Sequence, residues 1–285
     1  MVYLIIVSCL WAFSFGLIGS RLSGLDSTIV AAVRLGLACV CFVPFLRLMR
    51  ISWPNACKLI ALGALQFGVM YVAYIRAYSY LPSYLVALFS VMTPLYVAVS
   101  HSIFERTFRW QLLACSALSI LGAGVIKYAQ PEGAIWVGFF LMQIANVAFG
   151  LGQVLYKRWK QAHPDVGDSS VFALMYFGAF LFSGASAIVL GNWGHFQPTG
   201  EQIWVLVYLG VVAAGIGFFL WNKGAAIVNA GTLAAFNNAV VPLAMATSLF
   251  VFGEIAEVSR DDLIKLTSGG SLIFVAIIWG RKTAS

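Results

Sequence analysis

Ten stretches of this chain, 2–20, 27–46, 58–78, 83–103, 110–127, 135–156, 171–190, 202–222, 231–252 and 263–280, stay apolar for close to the length of a helix that crosses a bilayer. About 20 apolar helical residues span the roughly 30 Å of hydrocarbon. Runs such as Leu59–Leu65 and Val205–Phe219 are apolar on every side. A transmembrane strand would alternate instead, so a barrel is excluded and a helical bundle is the spanning structure left. With 61% hydrophobic and 9% charged among 285 residues, too little polar surface exists to cover a soluble globule, whose charged share is about a quarter. The expected fold is an all-α membrane protein with ten transmembrane helices and short connections.

The basic residues set its orientation. With the N-terminus inside, Arg47, Arg50, Lys58, Arg106, Arg109, Lys157, Arg158, Lys160, Arg281 and Lys282 face the cytoplasm, against Arg21, Lys127, Arg260 and Lys265 outside. This is a positive-inside bias, and it places both termini in the cytoplasm of a multi-pass protein. The first stretch has no basic lead-in or small-residue cleavage site and is expected to remain. The net charge of +7 comes from cations scattered at helix ends beside an anionic leaflet, so the lipid bilayer, not nucleic acid, is the expected partner. Cys9, Cys39, Cys41, Cys57 and Cys115 show no metal-ligand or C-x-x-C spacing and read as packing residues. No H-E-x-x-H, G-x-G-D pair or serine with a positioned base appears. Neither catalysis nor a metal or cofactor is expected.

All ten carboxylates fall outside the stretches placed in lipid, whereas Arg34 and Arg76 fall inside them and Lys223 directly follows the eighth. A cation at membrane depth without an acid beside it faces a wet cavity and waits for an anion, which points to a cargo bearing a carboxylate. An internal repeat gives these cations positions. Asp26-Ser-Thr-Ile-Val-Ala-Ala-Val-Arg34-Leu-Gly36 matches Asp168-Ser-Ser-Val-Phe-Ala-Leu-Met-Tyr176-Phe-Gly178, and Arg76 through Pro94 matches Lys223 through Pro242 with one residue of slippage. Five stretches per copy is odd, so 1–130 and 131–285 read as two inverted five-helix repeats, the plan of alternating-access carriers with a site between the halves. Arg76 is then expected near the outer mouth and Lys223 near the inner one. Arg34, replaced by Tyr176 in the other copy, is expected to bind helix-end carbonyls as a structural residue. Pro94 and Pro242 each free a carbonyl and permit a bend.

Polar groups recur within the stretches: Ser14, Gln66, Tyr71, Tyr74, Gln143, Asn146, Gln153, Asn222, Asn237 and Asn238. Such amides face the interior, as interhelical glue or as ligand contacts. Aromatics beside them, including Trp11, Phe149 and Trp221, either pack or line a site.

The order Trp11-Ala12-Phe13-Ser14-Phe15, an Arg in the second stretch and a Pro late in the fourth and ninth resembles the EamA-type branch of the drug/metabolite transporter superfamily, over nearly the whole chain. Gln66 with Gly68-Val69-Met70-Tyr71, Arg76-Ala77-Tyr78, Thr93-Pro94-Leu95-Tyr96, Gln143 with Asn146, Trp221-Asn222 and Asn237-Asn238 are similar to its biotin-transporting members. The resemblance implies a secondary transporter of the bacterial inner membrane that imports biotin; a monomer is expected because one chain supplies both halves of the inverted pair. Export of amino acids or related metabolites is the alternative. With biotin as the cargo, its chemistry leads us to expect substrate contacts from Trp11, Gln66, Tyr74, Arg76, Tyr96, Gln143, Asn146, Phe149, Trp221, Asn222, Lys223, Asn237 and Asn238. Arg76 would attract the carboxylate, Gln143, Asn146, Asn222 and Asn237 would meet the ureido group, and Trp11, Tyr74, Phe149 and Trp221 would stack on the rings. With no acid within the stretches, facilitated diffusion is the expected mode, and a proton acting through His101 is the alternative.

Overall fold

The computed structural model describes residues 2–47, 51–104, 106, 121, 134–228, 236, 237, 240, 241, 243–257, 260, 261, 264, 267, 268, 271, 272 and 275. Among these there is no strand. Seven helices are long and apolar enough to cross a membrane: α1 (Val2–Arg21), α2 (Ser27–Phe45), α3 (Trp53–Ala77), α4 (Ser83–Phe104), α5 (Ile135–Ala162), α6 (Asp168–Leu190) and α7 (Gly200–Ile227). The stretch 110–127, and most of 263–280, lie outside the described residues. Of 231–252, the segment 243–246 is α-helical and Thr247–Val251 is a π-helix.

Local chemistry sets the helix ends. The Asp26 carboxylate accepts from the backbone N–H of Thr28 (2.9 Å) and Ile29 (3.1 Å), closing the first turn of α2. Thr199 and Gln202 form a reciprocal capping box that opens α7. Ser52 followed by Pro54 in the first turn starts α3 five residues before the apolar stretch does. Gly24 and Gly253, with φ of +89° and +79°, make turns that a side chain would strain.

Three helices depart from regular α geometry. Pro94 has no N–H for the Ser90 carbonyl, and α4 is interrupted at Val91–Met92. The Thr93 hydroxyl stands 2.8 Å from the freed oxygen and donates to it. α3 and α7 contain π segments, Ala64–Val69 and Tyr208–Ile216, a geometry frequent at functional sites.

Glycines bring backbones together. A Cβ on Gly63 would fall 1.9 Å from the Met175 carbonyl oxygen, and one on Gly178 1.9 Å from that of Ile60, so α3 and α6 touch main chain to main chain. Gly210 of α7 approaches the Arg34 carbonyl of α2 in the same way, at 3.1 Å. The outer surface is apolar, with Ile188 and Val189 of α6 76% and 79% exposed, while Gln66, Ser183 and Asn222 are fully buried. That inversion of the soluble pattern suits a surrounding of lipid.

Candidate substrate site

A cavity of about 100 Å³ lies inside the bundle, walled by α1, α2, α3, α4, α5 and α7 together with Asn237 and Val240. Trp11, Phe149 and Phe218 form an aromatic wall, with ring centroids 5.0–6.0 Å apart. The Trp11 indole N–H is committed to the Ala213 carbonyl at 2.9 Å, inside the π segment of α7. Its ring therefore meets the cavity with an apolar face.

On another side stand Arg34, Tyr71 and Tyr74. Arg34 is 1% exposed, and its Nε and Nη1 have no hydrogen-bond partner. Its guanidinium carbon sits 4.7 Å from the Tyr71 ring centroid, a cation–π contact that offsets only part of the cost of a desolvated charge. The expectation that Arg34 serves helix-end carbonyls is not what the geometry shows for these two nitrogens. Tyr78 donates its one phenolic proton to the Phe15 carbonyl at 3.2 Å, so in the Tyr74–Tyr78 pair at 2.9 Å it is Tyr74 that donates. Tyr74 is left with lone pairs to offer.

Asn146 reaches the wall from α5, 3% exposed. Its Nδ2 donates to the Phe89 carbonyl at 2.8 Å, beside the break in α4, and its Oδ1 is 3.1 Å from the Thr93 hydroxyl. Asn237 also lines the cavity. The described ion pairs, Arg21–Glu201 at 2.9 Å and Lys160–Asp168 at 3.1 Å, sit at helix ends, and no acid is among the described lining residues of the cavity.

Of the residues singled out from sequence, Trp11, Tyr74, Asn146, Phe149 and Asn237 come together on this wall. Others do not. Arg76 is exposed at the end of α3, 3.5 Å from the Ser27 hydroxyl and 6.0 Å from the Tyr80 ring centroid. Lys223 lies half-buried between the rings of Tyr3 and Phe219. Gln66 donates to Asn222 at 2.9 Å, and Trp221 to Gln153 at 3.3 Å, all four fully or nearly fully buried away from the cavity lining. Tyr96 donates to Gln143 at 3.2 Å, again off the wall. Tyr176 directs its hydroxyl at the Ala214 and Gly215 carbonyls, 3.0 and 2.6 Å away, in the α7 π segment. Asn238 and Pro242 lie outside the described residues. Arg34, Tyr71 and Phe218 were missing from the expected contacts. Depth was the available signal: Arg34 is two turns into its helix, whereas Arg76 is next to the last residue of α3.

Residues 1–128 match the model of the EamA-like transporter family. Over 284 residues the chain is 41% identical to the biotin transporter of Escherichia coli (strain K12), covering 99% of this chain and 93% of that protein. The chain belongs to the EamA-like transporter family. It is 40% identical over 254 residues to the biotin transporter of Salmonella typhimurium, covering 88% of this chain and 85% of that one. Identity to a probable biotin transporter of Pseudomonas aeruginosa is 38% over 285 residues, covering 99% and 97%. A solved crystal structure, at 17% identity, superposes with a TM-score of 0.67 over 99% of this chain and 95% of its own, a likeness of fold. As a member of the EamA-like family the chain is a multi-pass membrane transporter rather than an enzyme.

Proposed function

We propose that this protein imports biotin across the bacterial cytoplasmic membrane by alternating access, as a monomer of ten transmembrane helices with both termini inside. The observation that carries the reading is the cavity itself, an aromatic enclosure with Asn146 and Asn237 on its wall and, among its described lining residues, a cation but no acid, in a chain 41% identical to a biotin transporter. Biotin presents a bicyclic ring for the aromatic wall, a ureido group for amides and tyrosine lone pairs, and a carboxylate for the cation. The space is smaller than the roughly 300–1,000 Å³ of ligand pockets in general, so loading requires the helices to part.

Two inverted repeats are supported by contacts that recur in register. Matching Arg76 to Lys223 places Gly63 on Gly210 and Asn55 on Gln202, and matching Arg34 to Tyr176 places Arg21 on His163. Asn55 Nδ2 lies 3.1 Å from His163 Nε2, joining α3 to the residue that follows α5, while Gln202 Nε2 donates to the Arg21 carbonyl at 3.0 Å, joining α7 to α1. Both copies thus tie the start of one helix to the end of its partner. The π segments of α3 and α7 also overlap in this register. Such pairs of helices with local irregularities flank the site in inverted-repeat carriers.

Uptake of tritiated biotin into a biotin-requiring bacterium that lacks its own carrier tests the function. Expression of this chain should restore growth at limiting biotin and give saturable uptake, unaffected by excess amino acids. Uptake no faster than in the empty strain would refute it.

A further inference from the structure

Arg34 is a cation buried in the membrane interior, in the cavity wall, with two of its three guanidinium nitrogens unpartnered. A guanidinium cannot shed its proton in a protein, so neutralising itself is closed to it. Leaving such a charge desolvated and without a hydrogen-bonded counter-charge is costly, and the Tyr71 ring at 4.7 Å offsets only part of that cost. The residue that holds the matching position in the second copy behaves differently. Tyr176 gives its hydroxyl to the carbonyls of the α7 π segment, a structural use, whereas Arg34 Nε and Nη1 serve no carbonyl of α3 or of any other helix. Among the described lining residues Arg34 is the only cation and there is no acid. A carboxylate fits the planar donor set of a guanidinium.

We infer that Arg34, backed by Tyr71, is the receptor for the carboxylate of the transported solute, in place of the Arg76 that depth-blind reading of the sequence favours. This rests on the reading of the cavity as the cargo site. It makes Arg34 a substrate-contacting residue, and it makes an organic monocarboxylate the cargo class.

Binding measured on the purified full-length chain in nanodiscs decides the matter, with biotin, biotin amide, hexanoate and chloride as probes. Wild type should prefer biotin to its amide by roughly 10- to 100-fold, the worth of a hydrogen-bonded charge. Arg34→Gln should lower biotin affinity to that of the amide while leaving the amide within about twofold of its wild-type value. Arg34→Lys should keep part of the preference, holding the charge without the fork. Equal wild-type affinity for biotin and its amide overturns the inference even if Arg34→Gln fails to fold, and so does an equal loss for both ligands in a folded variant. If wild type binds neither biotin nor its amide, the biotin reading fails, and hexanoate then judges Arg34. Hexanoate binding abolished by Arg34→Gln keeps the receptor, and binding of chloride alone, or of no probe at all, removes it.

Discussion

The Gln66 amide nitrogen donates to the Asn222 amide oxygen at 2.9 Å, which pins the π segment of α3 to α7. Asn222 in turn donates to the Phe218 carbonyl at 3.0 Å, while Gln66 Oε1 has no partner. Two side chains that looked like ligand contacts therefore hold helices together. A hydrogen bond between membrane helices averages only about 0.6 kcal/mol, whereas a stranded buried amide costs about 1–3 kcal/mol. Asn222→Leu strands Gln66 entirely and should lower unfolding stability by the larger amount. The double variant Gln66→Leu/Asn222→Leu should recover most of it, as read by thermal unfolding in detergent, and additive losses would contradict the pairing.

Arg76 faces out beside Ser27 and Tyr80. Charges so placed are worth about 0–1 kcal/mol, so Arg76→Ala should weaken biotin binding by less than about fivefold. Equilibrium binding in nanodiscs checks it, and a loss comparable to that of Arg34→Gln would return the carboxylate to the mouth of the bundle.

Gly63 leaves no room. Gly63→Ala puts a methyl 1.9 Å from the Met175 carbonyl oxygen, where main chain must give way. Overpacking of this kind costs about 1–3 kcal/mol. Gly200→Ala, with nothing within 4 Å, should stay within about 0.5 kcal/mol of wild type. Side-by-side melting of the two variants separates a close-approach glycine from a tolerant one.

The cap of α2 gives a pH signature. Burial pushes the Asp26 carboxyl up, but hydrogen bonds from the Thr28 hydroxyl and the N–H groups of Asn192, Ile29 and Thr28 outweigh it, and its pKa is held below the usual 3.8. A carboxylate lowered in the folded state stabilises fully above its unfolded value and loses that contribution as pH falls through the folded one. Asp26→Ala should therefore cost about 0.5–2 kcal/mol at neutral pH. The gap from wild type should narrow progressively below pH 3.8. Melting curves from pH 7 downwards show whether the gap closes.

Much of the bundle was legible because hydropathy reports the lipid thickness, and all seven described spans fall on expected stretches. Their ends were less legible. α5 runs on through Lys157, Arg158 and Lys160 to Ala162, since long basic side chains let a helix continue into the interface. The π segments were invisible, being built from the same residue types as the turns around them. At the site, side-chain chemistry named Trp11, Tyr74, Asn146, Phe149 and Asn237, yet could not tell which amide had already found another. Gln66 and Asn222 are 156 residues apart, and only the packing reveals that they meet. For Arg34 the order of residues offers a tyrosine with a structural task as its repeat partner, and nothing in it says that Nε and Nη1 are left without a carbonyl.

If Arg34 is the carboxylate receptor, it also decides which half of the transport cycle is electrical. With an anion seated on Arg34 the loaded site is neutral, and the membrane voltage does no work on it as it turns inward. The empty site carries the charge back. Each 100 mV then weighs on that return by up to about 2.3 kcal/mol. An inside-negative potential therefore slows the emptied carrier rather than the loaded one, so that swapping one bound anion for another should outpace net entry.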